Sequence, residues 1–175
     1  VKKVLIATDG SSHAGKAVQL GSDIAAKYGA EVVLVHVLLR DHLSENLRHM
    51  AEVEYQLAEG GKSLYEAIAA IPNARFPVAN LVPKDAQTPE RALQAVAEHI
   101  LAAAERTASE HGVSKTSKQI EDGNPASRIL EVASDVNADM IVIGSRGLSD
   151  MKALLLGSVS HKLSNMASVT CVTVR

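Results

Sequence analysis

The chain has 175 residues and a formal net charge of −2 at pH 7, with one Phe, three Tyr and no Trp. This length suits one substantial α/β domain with an aliphatic core. Scarce aromatic rings and the lack of a net positive charge argue against a nucleic-acid partner, which requires stacking or a basic face. A single cysteine excludes an intramolecular disulfide and a cysteine-based zinc site.

The first part of the chain predicts a strand, a helix and a second strand. Residues 3–8 are typical of a buried strand, and Ser11 or Ser12 can cap the helix that follows. Gly29 ends that helix, and residues 31–38 form a β-branched, apolar second strand. The N-terminal apolar run is too short for a signal sequence, and no run is long enough to span a membrane. We therefore expect a cytoplasmic protein without membrane contact.

A long connection leaves the second strand. Residues 43–71 are predicted to be mostly helical, and prolines then interrupt the chain up to Pro89. We interpret residues 40–89 as an insertion within a single domain of residues 1–175. Because the insertion follows the carboxyl end of a strand, we expect it to form a flap or a partner surface there.

The remainder repeats the alternation of helices and strands. Pro89 opens an alanine-rich helix to about residue 111, and residues 117–121 form a weaker third strand. Asn124 caps the next helix with Pro125 at its first position, and residues 139–143 form a fourth, buried strand. A helix over residues 158–166 and a strand over residues 169–174 follow. This alternation predicts a parallel sheet with helices on both faces, which binds ligands beyond the carboxyl ends of its strands.

The most specific pattern is a pair of glycine segments after the fourth strand. Residues 144–147 read Gly-Ser-Arg-Gly, and residues 157–160 read Gly-Ser-Val-Ser after nine intervening residues. Glycine lets the backbone pass close to a ligand, and the first N–H groups of the following helix attract an anion. The pattern favours a phosphate site, with tight loop packing as the alternative.

Together these motifs resemble the universal stress proteins, specifically the ATP-binding branch of the UspA family. The resemblance is carried by residues 7–11, by the strand ending in His36 and Val37, by residues 123–126, and by the pattern Gly-x2-Gly-x9-Gly-Ser. It implies a Rossmann-like, adenine nucleotide alpha hydrolase-like fold: an open five-stranded parallel sheet in the order 3-2-1-4-5. It also implies a homodimer that holds ATP, with Mg²⁺ bound mostly through phosphate oxygens and water.

The same resemblance implies the residues of a nucleotide site, with Asp9 and Val37 at the adenosine and the glycine segments at the ribose and phosphates. The implied contacts are Ala7, Thr8, Asp9, Val37, Ile143, Gly144, Arg146, Gly147, Gly157, Ser158, Val159 and Ser160. Two interpretations stay open, because Asp9 can instead cap the first helix and Arg146 can be a solvated loop arginine. Lys162 is interpreted as a surface charge, and His36 as a hydrogen-bonded core histidine.

The predicted function is that of a dimeric regulatory protein that binds ATP, responds to stress and acts through an unidentified protein partner. The unpaired edge of the last strand, residues 169–174, predicts antiparallel pairing with a second copy. A slow ATPase or nucleotidyl-transfer enzyme, and a nucleotide-free dimeric scaffold, are the alternatives. Binding is favoured because no catalytic base, nucleophile or metal cluster stands out.

Overall fold

A computed structural model describes residues 1–38, 89–147 and 157–175 of the chain. In chain order, its elements are β1 (Lys3–Ala7), α1 (Ser12–Tyr28), β2 (Glu31–Leu38), α2 (Pro89–Glu110), β3 (Thr116–Asp122), α3 (Pro125–Asp135), β4 (Met140–Gly144), α4 (Ser158–Met166) and β5 (Thr170–Val174). These elements confirm the predicted alternation. The predicted helix and flap within the insertion of residues 40–89 lie outside the described residues.

All five strands belong to one parallel sheet in the order β3-β2-β1-β4-β5. Ala7 at the end of β1 lies beside Val35 of β2 and Ile143 of β4. The chain builds outward from β1 through β2 to β3 and then crosses to β4, so the strand order reverses between β1 and β4. This topology confirms the predicted fold and places a crevice at the carboxyl ends of these two strands.

Two aliphatic layers cover the faces of the sheet. Val4 and Ile6 of β1 pack with α1 and α2 on one face, whereas Leu5 and Ala7 pack with α3 and α4 on the other. Successive strand residues point to opposite faces, so the continuous apolar run of β1 serves both layers. None of these four side chains is more than 5% exposed. The core is therefore aliphatic, as predicted.

Both ends of helix α1 have capping residues that are recognisable in the sequence. The Oγ of Ser11 accepts a hydrogen bond from the N–H of Ala14 at 3.2 Å, which makes Ser11 the N-cap. Gly29 follows the helix with a φ of +63°, a left-handed conformation that glycine adopts without strain. The choice between Ser11 and Ser12 is thus settled for Ser11, and the predicted end at Gly29 is confirmed.

The last strand, β5, lies at an edge of the sheet. It pairs with β4 on one side, and no strand in the part of the chain that the structure describes pairs with its other side. Cys171 in this strand is half-buried, and burial raises the pKa of its thiol. Since the thiolate is the reactive form, this environment favours a packing role for Cys171 over a reactive one.

Candidate functional site

A cavity of about 280 Å³ lies beyond the carboxyl ends of β1, β2 and β4. All twelve residues implied for the nucleotide site line it: Ala7, Thr8, Asp9, Val37, Ile143, Gly144, Arg146, Gly147, Gly157, Ser158, Val159 and Ser160. Its volume is close to the lower end of the range of roughly 300–1,000 Å³ that is usual for small-molecule sites. The fold therefore brings residues from opposite ends of the chain to one crevice.

The cavity also has walls outside the twelve implied residues. Seven further described residues line it: Ala14, Val35, Asn124, Pro125, Ala126, Ile129 and Lys162. The positions of three apolar residues among them follow from the spacing of residues in strands and helices. Val35 precedes Val37 by two residues in a strand, so the two side chains share a face. Ala126 and Ile129 are three residues apart in a helix and share a face in the same way.

The turn between β1 and α1 holds the side chain of Asp9. Its Oδ1 accepts a hydrogen bond from the N–H of Ser11 at 2.9 Å. Because Ser11 itself caps α1, this geometry excludes Asp9 as the N-cap of that helix. Asp9 instead stabilises the turn that precedes the helix, and it also lines the cavity.

The first glycine segment rests on this turn. The Oγ of Ser11 lies 3.5 Å from the carbonyl oxygen of Arg146. A Cβ added to Gly147 would lie 2.5 Å from Oδ2 of Asp9, closer than real Cβ contacts come. A side chain at position 147 would therefore displace either the Asp9 carboxylate or the glycine segment. Arg146 is half-buried at this edge of the cavity.

The second glycine segment is tied to the first through Ser160. The Oγ of Ser160 lies 3.0 Å from the carbonyl oxygens of both Ser145 and Gly157, and this side chain is 2% exposed. The N–H of Gly157 donates to the same Ser145 oxygen at 2.7 Å. A hydroxyl has one proton to donate, and here the carbonyl oxygens of the loop accept it. The Ser160 hydroxyl therefore holds the loop and is not free to donate to a ligand. Ser158 supplies the exposed hydroxyl at this helix start.

Replacing Ser160 with alanine should destabilise the fold by about 0.5–1.5 kcal/mol, because the hydrogen bond of its hydroxyl to the loop is lost. The carbonyls of Ser145 and Gly157 keep the N–H groups of Gly157 and His161 as donors. Urea unfolding of Ser160→Ala against the unsubstituted protein measures the difference. Ser158→Ala on the same helix is the matched control, since its exposed hydroxyl should contribute less than about 0.5 kcal/mol. Equal stability of the two variants would contradict the structural role of Ser160.

Three helices begin at the cavity without acidic residues in their first turns. This holds for α1, α3 and α4, at positions where Asp or Glu would be favourable beside the positive end of the helix dipole. Helix α4 follows Gly157, which provides no side-chain cap. Arg146 and Lys162 add two positive charges, and Asp9 is the single carboxylate among the described lining residues. This end of the cavity is therefore suited to an anion.

His36 lies in β2 between Val35 and Val37 and is not among the lining residues of the cavity. Its Nδ1 is 2.9 Å from the carbonyl oxygen of Thr8, which can only accept, so Nδ1 carries the proton. Burial lowers the pKa of His36, although the hydrogen bond to Thr8 and the charge of Asp9 both act to raise it. These contacts confirm His36 as a hydrogen-bonded core histidine.

Mild acid should destabilise the protein through His36. Its folded-state pKa lies below the ordinary 6.5, so the unfolded chain takes up this proton first as the pH falls. The group has no effect on the free energy of unfolding well above pH 6.5, and it lowers that free energy as the pH drops below this value. Urea unfolding between about pH 7.5 and pH 5.5 should show a weaker decline for His36→Gln. Identical declines would assign the effect to other groups.

Residues 1–38, 89–147 and 157–175 hold neither a metal-binding cluster nor a membrane-spanning helix. No group of three or more His, Cys, Asp or Glu side chains comes together there as a metal-binding cluster. None of the helices in these ranges is long and apolar enough to cross a membrane. The described site therefore consists of a cavity, glycine segments and helix N-termini.

The whole chain is similar to proteins of one family. A model of the universal stress protein family matches residues 1–175. Universal stress protein YxiE of Bacillus subtilis is 29% identical over 174 residues, which cover 99% of this chain and 98% of the relative. Stress response protein NhaX of the same bacterium is 29% identical over 177 residues, which cover 99% and 97%.

Solved structures are similar in fold. A universal stress protein in complex with cAMP aligns with a TM-score of 0.60 at 20% identity, covering 99% of this chain and 96% of that one. The universal stress protein from Archaeoglobus fulgidus in complex with dAMP aligns with a TM-score of 0.58 at 17% identity, covering 100% and 98%. With a family model that spans every residue and a sheet of the predicted order, the chain belongs to the universal stress protein family.

Proposed function

We propose that this universal stress protein binds an adenine nucleotide in the cavity between β1 and β4. The observation that carries the proposal is the meeting of three helix N-termini, none with an acidic first turn, beside two glycine segments. Such an arrangement is favourable for phosphate groups. The two structural neighbours that hold cAMP and dAMP support an adenine ligand.

The cavity offers different surroundings to the two ends of such a ligand. Val35, Val37 and Ile129 form an apolar wall that suits a nucleobase. The uncapped start of α4 and the segment ending at Gly147 suit the phosphates. Asp9 lies within the β1–α1 turn, where its carboxylate can accept hydrogen bonds from the ribose or the base.

We take ATP with Mg²⁺ as the ligand. The two lining cations, Arg146 and Lys162, favour a highly charged phosphate chain over a neutral nucleoside. The residues fit a magnesium nucleotide because Mg²⁺ keeps much of its water and binds mainly to phosphate oxygens, so that a dedicated cluster of protein ligands is not required.

The proposed role is regulatory, in the cytoplasm, and a protein partner would distinguish the nucleotide-bound from the nucleotide-free form.

We further propose that two copies pair through β5, because this edge strand leaves backbone hydrogen-bonding groups for a second strand. Light scattering should give the mass of a dimer at micromolar concentration. Thr173→Pro, which removes a backbone donor within β5, should shift the population toward monomer. A monomeric unsubstituted protein would contradict this pairing.

The nucleotide proposal is tested first on protein as purified. Heat denaturation should release a bound nucleotide, and mass spectrometry of the supernatant should identify ATP, ADP or AMP in a fixed ratio to protein. Protein that carries none should bind ATP after dialysis into buffer with Mg²⁺, as measured by calorimetry. Failure of both would favour the nucleotide-free scaffold.

A further inference from the structure

Lys162 occupies a place in the site that its sequence position does not reveal. It lies on α4 four residues after Ser158, so the two side chains share one face of the helix. Helical side chains lean toward the N-terminus of their helix. The Lys162 stem therefore points back over the first turn of α4, and both residues line the cavity.

The charge of Lys162 is available to a ligand. Among the described residues, no carboxylate forms an ion pair with it, whereas Lys3 and Lys115 pair with Glu31 and Lys118 pairs with Glu105. Lys162 is also exposed at the mouth of the cavity, where its long side chain can move toward a bound anion.

We propose that Lys162 makes the site selective for the number of phosphates on the nucleotide, an inference that rests on the proposed function. The N–H groups of the first turn of α4 can hold the phosphate nearest the ribose. The Lys162 ammonium, at the end of a long exposed side chain on the cavity wall, can reach a phosphate that lies outside those N–H groups. The ammonium group contacts that outer phosphate, so it contributes to ATP binding and contributes little to AMP binding.

Calorimetric titration of ATP, AMP and adenosine into the unsubstituted protein and into Lys162→Gln tests this inference. We expect the ATP affinity of the variant to fall roughly tenfold, and the AMP and adenosine affinities to change less than about twofold. Lys162→Arg should retain the preference for ATP. Lys27→Gln is the matched control: it removes the same charge from the exposed last turn of α1, away from the cavity, and should leave all three affinities unchanged.

The outcomes separate the inference from the proposed function. Equal losses for ATP and AMP, or an unchanged ATP affinity in Lys162→Gln, would overturn the selectivity role while the nucleotide site stands. Absence of ATP, AMP and adenosine binding by the unsubstituted protein would overturn the proposed function itself. Thermal unfolding should show the same midpoint for Lys162→Gln and for the unsubstituted protein, so that a lost affinity reports on the contact rather than on the fold.

Discussion

Gly147→Val should reduce ATP binding by at least about 100-fold while the chain remains folded. A Cβ at this position would lie 2.5 Å from Oδ2 of Asp9, and the two branches of valine would add bulk beside it. Either the carboxylate leaves its place or the glycine segment lifts from the β1–α1 turn. Both movements change the cavity wall from which Asp9 and Gly147 face the ligand.

Calorimetry with ATP measures this loss, and Gly15→Ala is its control. A Cβ on Gly15 would meet no atom within 4 Å, and the position lies exposed on α1. That substitution should leave the ATP affinity unchanged and stabilise the helix by roughly 1 kcal/mol. Retention of full ATP affinity by a folded Gly147→Val protein would mean that the contact between Gly147 and Asp9 does not shape a nucleotide site.

Gly144→Ala should lower the free energy of unfolding by about 2–3 kcal/mol. Its Cβ would lie 2.7 Å from the backbone N of Ala14 and 2.7 Å from the backbone C of His13. These atoms belong to the first turn of α1, which cannot move without shifting the helix on the sheet. The requirement for glycine at the end of β4 is thus set by helix packing as well as by the cavity that Gly144 lines.

Gly21→Ala provides a matched comparison for this effect. Its Cβ would also come within 2.7 Å of an atom, but that atom is Cδ1 of Ile6, the far end of a flexible side chain. A change of the Ile6 rotamer can relieve part of this clash, so the loss of stability should be smaller than for Gly144→Ala. Urea unfolding of both variants checks the order, and a larger loss for Gly21→Ala would contradict it.

The sheet was predictable from local patterns, and the residues that line the cavity were implied by the resemblance to the universal stress proteins. Apolar runs bounded by caps and glycines located the elements, and the glycine spacing over residues 144–160 predicted a phosphate site. Parallel strands bring their carboxyl ends to one edge, so Asp9, Val37 and Gly147 were expected to meet. The structure places these three residues around one cavity.

What each residue does there depends on tertiary geometry that no local pattern contains. The Ser160 hydroxyl looked available to a phosphate, yet its partners are carbonyls of the loop. Lys162 lines the cavity because of the way helix α4 is rotated about its own axis. The sequence of the helix does not specify that rotation. The close approach of α1 to Gly144 depends in the same way on how helix and sheet pack.

An NMR titration of ¹⁵N-labelled protein with ATP and Mg²⁺ tests the central claim most directly, because it reports both binding and place. The account predicts saturable shifts of the backbone amides of Gly144, Gly157 and Ser158, with Lys27 and Gly112 unchanged. An absence of shifts at about 1 mM ATP, or shifts confined to residues away from the cavity, would contradict it.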